Sequence, residues 1–245
     1  MTLTNRENEI LGLIVEHYID FDKPASSTVI ASRGHLLLSS ATIRNVMGKL
    51  ENIGFLYQPH ISAGRVPTES GIRYYVDNIL RVEPISDENR FKMRNIYLNM
   101  VERDGGRFRG AINFISSQAK QASVGFLPSK SDFENDNEIF INGVVHLIDH
   151  FHFSEVSKLK PFLHVLEDKE TLLPVLKNAT RRSKTHVFFS SELKELDLPP
   201  CSLITSPIRL ADGRNGALLV LGNLTMRYCD VISLLEYTSS LVNDI

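Results

Sequence analysis

The sequence predicts an α+β protein whose amino-terminal third is a small helical module closed by a two-stranded hairpin. Three observations carry that prediction. Apolar residues recur at helical spacing in the segments before residue 53. Two short strand-like runs follow, joined by a polar turn that contains Gly64. Beyond residue 123, short apolar strands and amphipathic helices interleave irregularly, as in an antiparallel sheet with helices rather than a parallel α/β sheet.

The bulk properties suit that scheme. The chain has 245 residues, 42% hydrophobic and 23% charged, with a formal net charge of −2. This is ordinary globular composition, and the length fits two modest domains better than one large core. No apolar run approaches the roughly 20 residues of a membrane span. The opening Met1-Thr2-Leu3-Thr4-Asn5-Arg6-Glu7 lacks an apolar signal core, so the expected location is cytoplasmic, without a membrane partner. Cys201 and Cys229 form no disulfide framework or CxxC spacing and are expected as free thiols in a reducing compartment.

Residues 5–20 place Ile10, Leu11, Leu13, Ile14, Tyr18 and Ile19 at helical spacing behind a Thr4/Glu7 capping box. Phe21-Asp22-Lys23-Pro24 breaks that helix. Ser26 or Ser27 caps a short helix over 27–32, and Ser39 or Ser40 caps a third through about Asn52, with Ile43, Val46, Met47 and Leu50 inward. Phe55–Gln58 and Arg65–Thr68 read as paired strands, and a helix runs from about Glu69 to Leu80. Three helices followed by a hairpin is the winged helix-turn-helix order. After Pro84, helices are expected over 86–104 and, past Gly105-Gly106, over 107–122; such helices often mediate dimer contacts. Strands then fit 124–127, 139–141, 186–189, 202–208 and 217–221, and helices fit 154–166, 169–178 and 226–242. The division is therefore 1–80 as a DNA-binding head, 81–122 as a helical linker and dimerisation segment, and 123–245 as an α+β domain.

Charge distribution adds to the argument where net charge does not. Residues 1–22 carry one base against five acids, whereas residues 23–65 carry five bases against one acid. That segregation predicts one acidic and one basic face, the latter suited to phosphates. The third helix opens Ser39-Ser40-Ala41-Thr42-Ile43-Arg44-Asn45. A recognition helix needs this chemistry: small residues let its end enter the major groove, Arg can bridge guanine O6 and N7, and Asn can bridge adenine N6 and N7. Ser39, Ser40, Thr42, Arg44, Asn45 and Lys49 are thus candidates for bases and their phosphates. His60, Ser62, Gly64 and Arg65 are candidates for a wing, with Gly64 supplying a permissive hairpin tip.

A longer pattern surrounds these residues. Leu38 through Met47, then Leu50-Glu51, Gly54, Gln58-Pro59-His60, Ser62 through Thr68, Gly71 and Arg73 through Asp77 closely resemble the heat-inducible repressor family HrcA. Gly143, Phe153, Lys158-Leu159, Leu166 through Glu170, Ser202 through Ile204, Gly222, Met226, Tyr228 and Ile232 follow the family's carboxyl-terminal pattern. The resemblance implies a homodimeric repressor that binds double-stranded DNA at an inverted-repeat operator before chaperonin and chaperone operons, with the chaperonin as a further partner. It also implies a GAF-like carboxyl-terminal domain. Two departures stand out: the chain passes from Gly125–Pro128 almost directly to Ile139–Gly143, so that domain is reduced, and Gly222–Tyr228 replaces a Gly-Pro-Thr-Arg-Met turn.

Other constellations carry little. His146 and His150 sit at i, i+4 but lack the zincin glutamate and a third ligand, so no metal is expected. Ser190-Ser191 lacks a nucleophile elbow, and Gly105 through Gly110 is neither a P-loop nor a dinucleotide fingerprint. No catalytic site or cofactor is expected. Two alternatives stand beside the repressor: a winged-helix regulator whose carboxyl-terminal domain senses a small molecule, and a winged helix used for protein docking.

Overall fold

The computed structural model describes residues 2–33, 38–129, 137–149, 156–210 and 212–243. The chain divides into two compact units, Met1–Arg81 with Leu224–Arg227, and Val82–Asn223 with Tyr228–Ile245.

The first unit begins with α1 (Asn5–Phe21), where Thr4 and Glu7 form the expected capping box. Asp22 ends it in the left-handed conformation at φ 50°, ahead of Lys23-Pro24. α2 (Ser27–Arg33) follows, and Ser26 rather than Ser27 caps it, accepting from the Val29 amide at 3.2 Å. α3 (Ser40–Asn52) is capped by Ser39, whose Oγ accepts from the Thr42 amide at 3.1 Å. The apolar stripes of these helices bury Ile10, Leu11, Ile14, Ile30, Ile43 and Leu50 completely. An amphipathic stripe of this kind holds its helix through tertiary burial, because helices this short are marginal alone.

β1 (Leu56–Tyr57) and β2 (Val66–Pro67) pair antiparallel, with Leu56 opposite Pro67 and Tyr57 opposite Val66. α4 (Glu69–Asn78) then starts on the cap residue Thr68. The Thr68 hydroxyl donates to the Gly54 carbonyl at 2.6 Å and its amide donates to the Phe55 carbonyl at 3.0 Å. A Cβ on Gly71 would lie 2.1 Å from the Phe55 carbonyl oxygen, so only glycine allows this approach.

The second unit opens with the helical hairpin α5 (Asp87–Asp104) and α6 (Arg107–Ala119). Gly105 turns the corner at φ 70°, and Gly110 lies flat on Val101, where a Cβ would sit 2.9 Å from its backbone. Tyr97 is the fully buried anchor of α5, edge-on to Phe114 of α6. α6 stops three residues earlier than its apolar pattern suggests. Lys120 takes a left-handed C-cap at φ 53°, which frees Ala122 to start a strand.

That strand, β3 (Ala122–Leu127), pairs with β4 (Glu138–Asn142) across residues 128–137. β5 (His186–Phe189), β6 (Cys201–Arg209) and β7 (Asn215–Asn223) complete an antiparallel sheet of order β4-β3-β7-β6-β5. α7 (Val145–Asp149), α8 (Val156–Glu167) and α9 (Lys169–Thr180) lie between β4 and β5, and α10 (Tyr228–Asn243) closes the chain. Two 3₁₀ turns, Ser190–Glu192 and Lys194–Leu196, follow β5.

Both sheet faces are covered, which is why the strands read as apolar runs rather than alternations. One face places Val124, Phe126, Leu203, Leu219 and Leu221 in a core with Phe162, Val165, Leu172 and Leu176 of α8 and α9. The other meets α6 and α10. There a Cβ on Gly125 would strike Ile112 at 2.2 Å, the Ser123 hydroxyl donates to the Ile112 carbonyl at 2.8 Å, and the Tyr228 hydroxyl meets Ser202 Oγ at 3.2 Å. Buried hydroxyls on this face are thus satisfied locally, as burial requires. Among the described residues no helix is long and apolar enough to cross a membrane.

Candidate nucleic-acid interface

The first unit brings Arg44, Ser62, Gly64 and Arg65, four of the ten candidate residues, to a groove of about 370 Å³. Its walls include Ser26 of the α2 cap, Arg44 and Met47 of α3, and Gln58, Ile61, Ser62, Gly64 and Arg65 of the hairpin. The fold sets each element in place. Ile43, Val46, Met47 and Leu50 turn one side of α3 inward, which leaves Ala41, Arg44, Asn45 and Lys49 on the exposed side. Ser39 is exposed, while Ser40 and Thr42 are half-buried. The Ser39 and Thr42 hydroxyls lie 2.9 Å apart and share one hydrogen bond at the cap.

Arg44 has no ion pair or hydrogen bond among the described residues, and its guanidinium keeps all its donors available. Three of the other four bases of residues 23–65 lie near acids, Lys23 being the exception. Arg33 pairs with Asp20 at 3.2 Å, and Lys49 lies 4.0 Å from Glu7 while remaining 71% exposed. Arg65 sets both Nε and Nη2 on Glu51 Oε2 at 2.9 Å. The segregation along the sequence therefore does not become one acidic and one basic face, because folding interleaves the acids of α1 with the bases that follow. Salt bridges of this exposed kind contribute little to stability; their effect here is to decide which cations stay free.

The hairpin departs from the expected picture at Gly64. The tip is His60-Ile61-Ser62, closed by the Ala63 amide donating to the His60 carbonyl at 2.8 Å; His60 and Ser62 are exposed there. Gly64 sits lower and serves closeness rather than left-handed freedom. Ala25 and Arg65 exchange two backbone hydrogen bonds of 2.8 Å, and a Cβ on Gly64 would lie 2.3 Å from the Ala25 carbonyl oxygen. Gln58, noted above as part of the family pattern, also shapes the hairpin. Its Nε2 donates to the carbonyls of Ile61 at 2.8 Å and Ala63 at 2.9 Å, holding the loop from beneath. The family pattern and its position just before Pro59 were the signals for it.

Behind this face, burial, and secondarily the Arg33 guanidinium, holds the His17 imidazole of α1 below its ordinary value. Burial, and then neighbouring Asp20, pushes the Glu16 carboxyl up. Elsewhere, His146 lies on α7, while its i+4 companion His150 and the pattern residue Phe153 fall outside the described residues. No cluster of potential metal ligands occurs among the described residues. Cys201 is buried and Cys229 half-buried, both as free thiols.

Comparison with known proteins finds transcription repressors similar in sequence to this chain. A heat-inducible transcription repressor HrcA from Syntrophobacter fumaroxidans is 25% identical, over 99% of this chain and 97% of its own. That alignment runs over 338 residues although this chain has 245, so the relative carries sequence that is missing here. The same-named repressor from Chlorobium limicola is 52% identical over 134 residues, spanning 53% of this chain and only 38% of that one. A crystal structure described as a hypothetical protein matches with a TM-score of 0.77 at 16% identity, covering 99% of this chain and 98% of that chain, which shows a shared fold. The family model for the HrcA protein C terminal domain matches residues 93–232, and the chain belongs to the HrcA family. Proteins of that name are repressors, not enzymes.

Proposed function

We propose that Met1–Arg81 is a winged helix-turn-helix that reads operator DNA, and that the chain is a cytoplasmic, homodimeric repressor of chaperonin and chaperone operons. In this reading residues 1–80 form the head, 81–122 the linker that brings two copies together, and 123–245 a reduced GAF-like domain. The observation that carries it is the exposed pair Arg44 and Asn45 on the first turns of α3, next to a groove shared with the hairpin. α3 enters the major groove. Arg44 bridges a guanine edge and Asn45 an adenine edge, while Ser40, Thr42 and Lys49 meet phosphates. Ser39 fixes the helix end, and His60, Ser62, Gly64 and Arg65 build the wing, with Arg65 braced by Glu51.

Two heads related by a two-fold axis match the dyad of an inverted repeat. A repressor of marginal stability loses its folded fraction on heating, and a chaperonin that restores that fraction would reset the operon. Arg44→Ala is expected to weaken binding to the chaperonin-operon promoter by about 1–3 kcal/mol and relax one base preference. A gel-shift titration in which Arg44→Ala matches the parent would remove that base-reading role. Binding that ignores salt would point instead to protein docking, which lacks the phosphate-derived salt slope.

One observation favours a second reading, in which the carboxyl-terminal domain senses a small molecule. A cavity of about 400 Å³ is lined by Lys160, His164, Thr171 and Asp197 among apolar neighbours, a size that suits a metabolite. A metabolite screen that shifts both melting temperature and operator affinity would support that reading over simple thermal control.

A further inference from the structure

We propose that Ile61 is a DNA-contacting residue, presented by the hairpin tip to the minor groove, where it favours A·T pairs. The proposal rests on the DNA reading above and adds a residue and a preference to it. Ile61 is 100% exposed, the extreme among the large apolar residues of the described chain. Single exposed apolar residues are common, so exposure alone decides nothing. Two further observations make this one informative.

First, the tip is held in shape. Gln58 Nε2 donates to the Ile61 and Ala63 carbonyls, and the Ala63 amide closes the turn on His60. A solvated turn needs no such clamp, whereas a side chain that must arrive in one orientation benefits from being ordered beforehand. Second, the tip carries no formal cation of its own. Arg65, the base nearest in sequence, is drawn back to Glu51 at 2.9 Å. The tip is therefore poorly equipped to clamp phosphate and well equipped for an apolar contact. Sugar edges and the floor of the minor groove offer such a contact only where no guanine 2-amino group projects into it. Gln58 then acts as a positioning residue for Ile61.

The test uses the full chain and a duplex carrying the chaperonin-operon promoter, titrated at several KCl concentrations. Ile61→Ser should bind about tenfold more weakly with an unchanged salt slope, since burial of an apolar side chain releases no counterions. Because the Ile61 side chain is fully exposed, the variant's melting temperature should match the parent's. Placing 2,6-diaminopurine for adenine in the A·T pairs under the wing adds an amino group to the minor groove only. It should weaken the parent and leave Ile61→Ser unaffected. Gln58→Leu should reproduce the loss of affinity in part. Equal binding by Ile61→Ser and parent, or equal sensitivity of both to diaminopurine, overturns the proposal while leaving the DNA reading intact. A parent without salt-sensitive binding to the duplex overturns both.

Discussion

The two units use antiparallel pairing for opposite ends. In the second unit the sheet is a scaffold: β3, β6 and β7 are buried on both faces between helices, and hydroxyls such as Ser123 and Tyr228 find partners inside. In the first unit β1 and β2 are two residues long and hold out a loop whose tip residue, Ile61, is fully exposed. The stability of one comes from apolar area. The precision of the other comes from a few backbone approaches that only glycine permits, at Gly64 and Gly71. Substitutions should therefore separate cleanly into those that cost folding and those that cost the interface.

The largest effect is expected in the scaffold. Phe162→Ala removes a fully buried ring from the core over β6 and β7 and should cost about 3–5 kcal/mol. Denaturant titration measures it, and amide exchange should show β6 and β7 deprotected. A loss under about 1 kcal/mol would mean that this core is not the scaffold described.

Gly64→Ala comes next and sharpens the contrast. Its Cβ meets the Ala25 backbone, which cannot rotate away, so the Ala25–Arg65 bridge must open. The expected cost is about 1–3 kcal/mol, as for other forced overpacking, confined to the first unit. Amide exchange at Ala25 and Arg65 should rise while β6 and β7 stay protected. If those amides remain slow, the close approach is not what fixes the hairpin.

The smallest effect is a pH dependence of the first unit. Burial holds His17 below its ordinary value near 6.5, and its Nδ1 is buried without a hydrogen-bond partner among the described residues. Between that lowered value and 6.5 the unfolded chain takes up the proton more readily than the folded one, so stability falls as pH falls through the window. Glu16 works in the opposite sense lower down. Its carboxyl is raised above 4.5, so in that lower range the folded form gains as pH falls. His17→Gln should flatten the drop in melting temperature between pH 7 and pH 6. An unchanged slope would assign the dependence elsewhere.

Much of this was legible from local pattern. α1, α3 and β5 follow directly from apolar period and cap residues, because the same residues that set the period also find the core. The less legible parts depend on contacts between distant segments. The end of α6 hinges on Lys120 accepting a left-handed turn, which no lysine announces in sequence. α10 was expected from Met226 but begins at Tyr228. α7 is one short turn of helix in a stretch that drew notice only for its histidines. At the interface, residue types were visible but their state was not. Nothing in the order of residues distinguishes Arg44, left free, from Arg65, engaged by Glu51 fourteen positions earlier. Gly64 was singled out for a flexibility it does not use.

The bridge between Ala25 and Arg65 has a kinetic consequence. Helices α1 to α3 assemble from neighbours along the chain, but this clasp joins residues on opposite sides of all the intervening sequence. Long-range closures of that sort lag behind local ones during refolding. Within the first unit, helical content would therefore return before the hairpin is clasped to Ala25, and circular dichroism would recover ahead of protection at the Ala25 and Arg65 amides.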